Sequence, residues 1–152
     1  MNLIEQLFSD EPCDDPRGKL ERLTAAMQGL AETYEPALSH YRMPGLYGRR
    51  IYVPAGLCVA TRVHKQAHFT IALKGQCAVV DQDGNQTVIR APDVFITQPG
   101  TQRACLAMTD VEWLTVHACE PTDDPADMTD LLTFKSFAEF HRWKLVTAGE
   151  AS

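Results

Sequence analysis

Val63-His64-Lys65-Gln66-Ala67-His68-Phe69 sets two of the chain's five histidines four residues apart, inside its most strand-like region. Two imidazoles share one metal only when a ring nitrogen of each comes within about 2.1 Å of it. On a straight strand, residues four apart are separated by about 13 Å at about 3.3 Å per residue, which excludes sharing. Two arrangements remain: a helix, where such positions are neighbours, or a bend at Lys65-Gln66-Ala67 that returns His68 to His64. The spacing matches the helical zinc-protease motif, but Lys65 stands where that chemistry needs a glutamate base. The flanks, Cys58-Val59-Ala60-Thr61-Arg62-Val63 and Phe69-Thr70-Ile71-Ala72-Leu73, are β-rich. A bend is therefore expected, with His64 closing one strand and His68 opening the next.

Alternation by twos from the pair groups Arg62, Ala60 and Cys58 with His64, and Thr70 and Ala72 with His68. The other faces carry Leu57, Val59, Thr61 and Val63, and Phe69, Ile71 and Leu73. Small polar faces backed by greasy ones predict a lined cavity with a covered back. Further on, His117 shares its face with Thr115, Trp113 and Val111, so a third imidazole is expected on the same side.

Eight strands are expected between Leu46 and Cys119: Tyr47–Val53, Leu57–His64, His68–Leu73, Cys77–Asp81, Gln86–Arg90, Val94–Thr97, Arg103–Met108 and Val111–Ala118. Turn signals such as Pro54-Ala55-Gly56, Asp83-Gly84-Asn85 and Gln98-Pro99-Gly100 separate them. Strands this short and frequent predict an all-β core, a single antiparallel jelly roll. Residues 1–45 read as a helical N-terminal extension, with a short helix over Met1–Phe8 and an amphipathic one over Arg17–Tyr34 bearing Leu20, Leu23, Ala26, Met27, Leu30 and Ala31. Residues 46–119 are the barrel. Residues 120–152 read as a C-terminal helical segment, one or two short helices packed on the barrel through Leu131, Leu132, Phe134, Phe137, Phe140 and Trp143, with a frayed tail over Gly149–Ser152. All three parts belong to one globular domain.

At 152 residues, the chain is long enough to bury a sizeable core. A net charge of −6 argues against nucleic acid as a partner. There is no basic leader and no apolar run of about 20 residues, so neither a signal peptide nor a membrane span is expected, and the reading is a cytoplasmic protein. Five widely spaced cysteines read as buried small hydrophobes rather than disulfides. His40 and His141 read as surface residues.

These motifs resemble the cupin superfamily. Arg62, His64 and His68 fall on the two histidines and the glutamate of the first cupin motif, and Gly75 on its final glycine. Pro99-Gly100-Thr101-Gln102-Arg103 is similar to the second, with Arg103 at the histidine position. The runs Ile51-Tyr52-Val53-Pro54-Ala55-Gly56 and Trp113-Leu114-Thr115-Val116-His117 further resemble small cupin-like proteins common in tailed-phage genomes, which places the protein in a bacterial or phage-infected cell. The resemblance implies the jelly roll and leaves the activity open. It makes His64, His68 and His117 the candidate ligands of one divalent transition metal (Zn, Fe, Mn or Ni), and Arg62, Arg103, Thr70 and Thr115 candidate contacts for a small anionic molecule. A hydrogen-bonded polar pair for the histidines and salt bridges for the arginines stand beside that reading. A homodimer is also expected. The alternative function is a non-catalytic, phage-type binding module that uses the jelly roll as a protein-interaction scaffold.

Overall fold

The computed structural model describes residues 5, 7–9, 11–28 and 37–150, except the side chains of 27, 28, 125–127 and 148–150. Most of the expected Met1–Phe8 helix, the extension of the next helix to Tyr34 and the last two residues of the tail lie outside them. Within them, helix α1 (Pro16–Gln28) is followed by strands β1 (Ala37–Met43), β2 (Leu46–Val53), β3 (Cys58–Ala60), β4 (Val63–His64), β5 (His68–Lys74), β6 (Gln76–Asp81), β7 (Gln86–Arg90), β8 (Asp93–Thr97), β9 (Arg103–Ala107) and β10 (Val111–His117). Helix α2 (Pro125–Leu132), strand β11 (Thr133–Phe134) and helix α3 (Phe137–Glu150) complete the chain.

The strands form antiparallel sheets in the orders β1-β2-β10-β5-β8 and β3-β9-β6-β7, with a small pair β11-β4. Between the two large sheets, Ile51, Val53, Cys77, Val79, Cys105, Ala107 and Val111 form an apolar core, with Trp113 packed against it. This is the jelly roll that the turn spacing predicts.

Helix α1 starts where the backbone is prepared for it. Pro16 stands in the first turn, and the Asp15 carboxylate accepts a hydrogen bond from the Gly18 amide at 3.0 Å. Leu20 and Leu23 are 0 and 2% exposed and pack with Leu7, Val80 and Ala104 on the outer face of the four-stranded sheet. Leu20→Ala is expected to cost about 3 kcal/mol. That corresponds to a fall of roughly 6–12 °C in a thermal melt; an unchanged melting temperature would show that α1 is not bound to the sheet.

Three expectations need correction. Residues 37–43, assigned by sequence to the helical extension, form β1, which pairs with β2 from Ala37↔Tyr52 to Met43↔Leu46 across Pro44-Gly45. The seven-residue strand ends just before the turn at Pro44-Gly45, whose signals read in sequence only as the end of helical structure. Second, the expected strand Leu57–His64 is two strands broken at Thr61-Arg62. Alternation does not survive such a break: Val59 faces the core and Cys58 faces α1. Third, the greasy back of β5 is uncovered, with Phe69 52% and Leu73 43% exposed.

The C-terminal segment closes on the histidine bend. Thr133 pairs with His64 and Phe134 with Val63. Val63, fully buried, packs with Phe137 and Phe140, with Phe134 beside them.

Candidate ligand and metal site

The inner face of the five-stranded sheet changes character along its length, and strand pairing shows where. One row across β2, β10 and β5 is Ile51, Trp113 and Ala72, part of the apolar interior. The next is Arg49, Thr115, Thr70 and Phe95. The last, where β10 ends and β5 begins, contains Tyr47 opposite His117 and His68 opposite Thr97. The polar residues thus collect at one end of the roll.

There the bend expected at Lys65-Gln66-Ala67 brings the His64 and His68 rings to 4.5 Å between centroids. His117 stands 4.3 Å from His68 and 6.1 Å from the Tyr47 ring. The three histidines are 9, 6 and 4% exposed. A cavity of about 20 Å³, room for about one water-sized particle, is lined by Tyr47, Arg49, His64, Thr115 and His117 from the roll and by Met128, Thr129, Leu132 and Thr133 from the C-terminal segment.

Hydrogen bonds engage one ring nitrogen of His68 and one of His117. The Gln66 carbonyl, 3.2 Å from His68 Nδ1, can only accept, so Nδ1 carries the proton and Nε2 the lone pair. The Thr115 hydroxyl donates to the Arg49 carbonyl at 3.5 Å and lies 3.0 Å from His117 Nε2. That contact engages Nε2 and leaves Nδ1 as the His117 ring nitrogen without a protein partner among the described residues. The Nδ1 atoms of His64 and His117 are buried with no hydrogen-bond partner among the described residues.

All three rings are held neutral. Burial lowers the His64 pKa well below 6.5, helped by His68, His117, Arg103 and Arg49. Burial lowers His117 to about 3, with His68 and Arg49 adding to it. Burial likewise lowers His68, with Arg103 and Arg49 assisting against the Gln66 carbonyl. Above pH 6.5 both folded and unfolded chains carry these rings neutral. Below it, the unfolded chain takes up protons that the folded one refuses, so stability falls with pH. For His117 alone, the loss between neutrality and pH 5 is about 2 kcal/mol. Metal-free protein melted across that range should show this decline, reduced in His117→Asn; a flat profile would contradict buried neutral rings.

The remaining candidates separate. Arg103 is drawn into the site: its Nη1 donates to Thr97 Oγ1 at 3.0 Å, its guanidinium lies 5.3 Å from the centre of the Phe95 ring, and Thr97 is bonded to Thr70 at 2.7 Å. Arg62 lies in the break after β3, pairs with Asp130 at 3.1 Å and is not among the residues lining the cavity. Arg49, which sequence reasoning passed over, lines the cavity instead. The available signal was the alternation Tyr47, Arg49, Ile51 on β2, legible only once β2 is paired with β10. His40, read as a surface residue, bonds through Nδ1 to the Tyr47 hydroxyl at 2.5 Å. Cysteine contributes no reactive thiolate here: burial pushes Cys58 up to about 11, and Cys105 rises through its hydrogen bond with Cys77 and burial.

The donor set suits a metal by chemistry. It offers neutral imidazoles, two with unpartnered buried nitrogens, with ring spacings near the roughly 4.5 Å expected of two imidazoles at right angles on one ion. As the side chains stand, no group of three or more His, Cys, Asp or Glu among the described residues is arranged to hold an ion. The described helices include none long and apolar enough to cross a membrane.

No protein-family model matches the sequence, and no curated protein matches it. Solved structures do resemble it. An uncharacterized conserved protein with a double-stranded β-helix domain from Klebsiella pneumoniae superposes with a TM-score of 0.50 at 19% identity, over 59% of this chain and 81% of that one. Salicylate 1,2-dioxygenase from Pseudaminobacter salicylatoxidans gives 0.51 at 20% identity over 64% of this chain, and its adduct with gentisate 0.50 at 20%. This chain spans only 30% of the dioxygenase's length. At such identities the likeness concerns architecture, and the architecture is the double-stranded β-helix of the cupin type.

Proposed function

We propose that the protein binds a small acidic molecule together with one divalent transition metal (Zn, Fe, Mn or Ni) in the cavity at the end of the roll. His64, His68 and His117 hold the metal, and Arg49 and Arg103 hold the anionic group. The observation that carries this reading is three buried imidazoles, His68 in contact with both His64 and His117, with partnerless Nδ1 atoms on His64 and His117. Bound there, the metal supplies Lewis acidity or redox chemistry to an adjacent ligand. The Gln66 carbonyl and the Thr115 hydroxyl orient His68 and His117, as outer hydrogen bonds to ligating histidines do. Thr97 and Phe95 hold the Arg103 fork, and Thr70 fixes Thr97. The cavity admits an ion or a water; a ring the size of gentisate enters only after Met128, Thr129, Leu132 and Thr133 move aside. Elemental analysis of protein purified without a histidine tag tests the reading. Stoichiometric transition metal, or a raised melting point on adding Zn, Fe, Mn or Ni, supports it; a metal-free protein that none of the four stabilises overturns it.

A second reading has its own support. On the outer face of the five-stranded sheet, strand pairing aligns Tyr41, Gly48, Val116, Phe69 and Ile96 in one row. Tyr41, Met43, Leu46, Tyr52, Phe69, Leu73, Val94 and Ile96 are each 39–60% exposed. If each shows about half of a typical side-chain area, they present roughly 700 Å², close to the roughly 800 Å² per partner of a standard interface. The roll then also serves as a scaffold, with a second copy of the chain as its partner. A phage-type, cytoplasmic setting belongs to the same proposal. Light scattering should find a dimer that Phe69→Lys with Ile96→Lys converts to monomer; a monomeric parent protein at high micromolar concentration contradicts it.

A further inference from the structure

We infer that the anion governs the metal at this site: a small oxyanion or carboxylate seated between Arg49 and Arg103 is required for tight metal binding, and the two ligands bind with positive coupling. The inference rests on the proposed metal reading and concerns the charge around it. Neither guanidinium has a carboxylate within 4.0 Å among the described residues, where the other close pairs are Arg17–Asp83, Arg22–Asp15, Arg50–Glu112 and Arg62–Asp130. Among the described residues, no aspartate or glutamate lines the cavity.

The nearby acids are committed elsewhere. Asp81 is paired in register with Arg103, but its oxygens accept from the Asp83 amide at 2.9 Å, the Asn85 amide at 3.0 Å and Asn85 Nδ2 at 3.2 Å, fixing the β6–β7 turn. Asp130 holds Arg62, and Glu112 lies on the outer face with Arg50.

A dication placed among neutral imidazoles would therefore join two half-buried positive charges, with Asp81 acting on Arg103 only at a distance and no carboxylate of the described residues in contact with either guanidinium. The position where the cupin pattern has glutamate carries His68. An anion resolves both difficulties. The Arg103 fork, with one bond to Thr97, has donors left for an oxygen pair, and Arg49, which lines the cavity, brings a second fork near the same histidines. Because coupling is reciprocal, the factor by which the anion tightens the metal equals that by which the metal tightens the anion.

Calorimetric titration of the metal-free full chain tests this, with Ni(II) alone, sulfate alone, benzoate alone, and Ni(II) in saturating sulfate or benzoate, at constant ionic strength set with potassium chloride. Sulfate or benzoate should bind the metal-free protein. Nickel affinity should rise at least about tenfold with the anion present, within the usual range of coupling between sites. Arg49→Gln and Arg103→Gln should lose the enhancement and bind nickel more tightly than the parent when neither sulfate nor benzoate is present; Arg49→Lys should keep the enhancement. Equal nickel affinity with and without anion in the parent protein overturns the coupling while leaving the metal reading intact. Nickel binding under no condition overturns both. The parent titrations decide the matter even where an arginine variant does not fold.

Discussion

His64→Ala combined with His68→Ala is expected to lower transition-metal affinity by at least about 100-fold, since altering even the outer hydrogen bonds of a ligating histidine costs about 10–100-fold. The two rings touch, and His68 also touches His117, so removing them leaves one imidazole of the three. The protein should still melt cooperatively, because the rings belong to the polar end of the roll, whereas the cohesive core of Ile51, Val53, Val79 and Cys105 lies further along. Metal content after dialysis, measured beside a thermal melt, reads both outcomes. Full metal retention by a folded double variant would place the ligands elsewhere.

Gly75→Ala is the substitution expected to damage the fold most. Gly75 has φ of +82°, and a Cβ there would stand 2.1 Å from the Asp110 carbonyl oxygen and 2.5 Å from Thr109 Oγ1. Placing an L side chain in that region costs about 1–2 kcal/mol by itself. The overlap with Asp110 is with backbone and cannot be relieved by a rotamer change. The contact also joins two turns: the Gln76 amide donates to Thr109 Oγ1 at 3.0 Å, and the Ala91 amide donates to the Gly75 carbonyl at 3.0 Å. A loss above about 3 kcal/mol is expected, or a fall of roughly 10 °C. Gly56→Ala is the internal control: φ is similar at +86°, but nothing lies within 4 Å of the added carbon. Equal melting temperatures for the two variants would show that the overlap at Gly75 is relieved by movement of the Thr109-Asp110 turn.

The location of Gly75 illustrates what could be read in advance. Its place in the cupin pattern was legible from spacing; the reason a glycine must stand there was not, because Asp110 approaches it from 35 positions further along the chain. The bend between His64 and His68 was legible because strand geometry left few alternatives. Thr70 and Thr115 were legible by alternation, which holds within β5 and β10. Counting by twos across Thr61-Arg62 assumed one continuous strand, and Arg62 instead lies in the break and pairs with Asp130.

The sequence by itself determined the jelly roll, the strands from β5 to β10 and the two imidazoles at the bend, because local periodicity and turn residues act within a few positions. Tertiary structure alone decided that β1 joins the sheet, that Arg49 rather than Arg62 lines the cavity and that the C-terminal segment closes over His64. It also decided that Arg49 and Arg103 have no carboxylate within 4.0 Å among the described residues. Those outcomes depend on which strands pair and in what register, and register follows from side chains far apart in sequence meeting in one core.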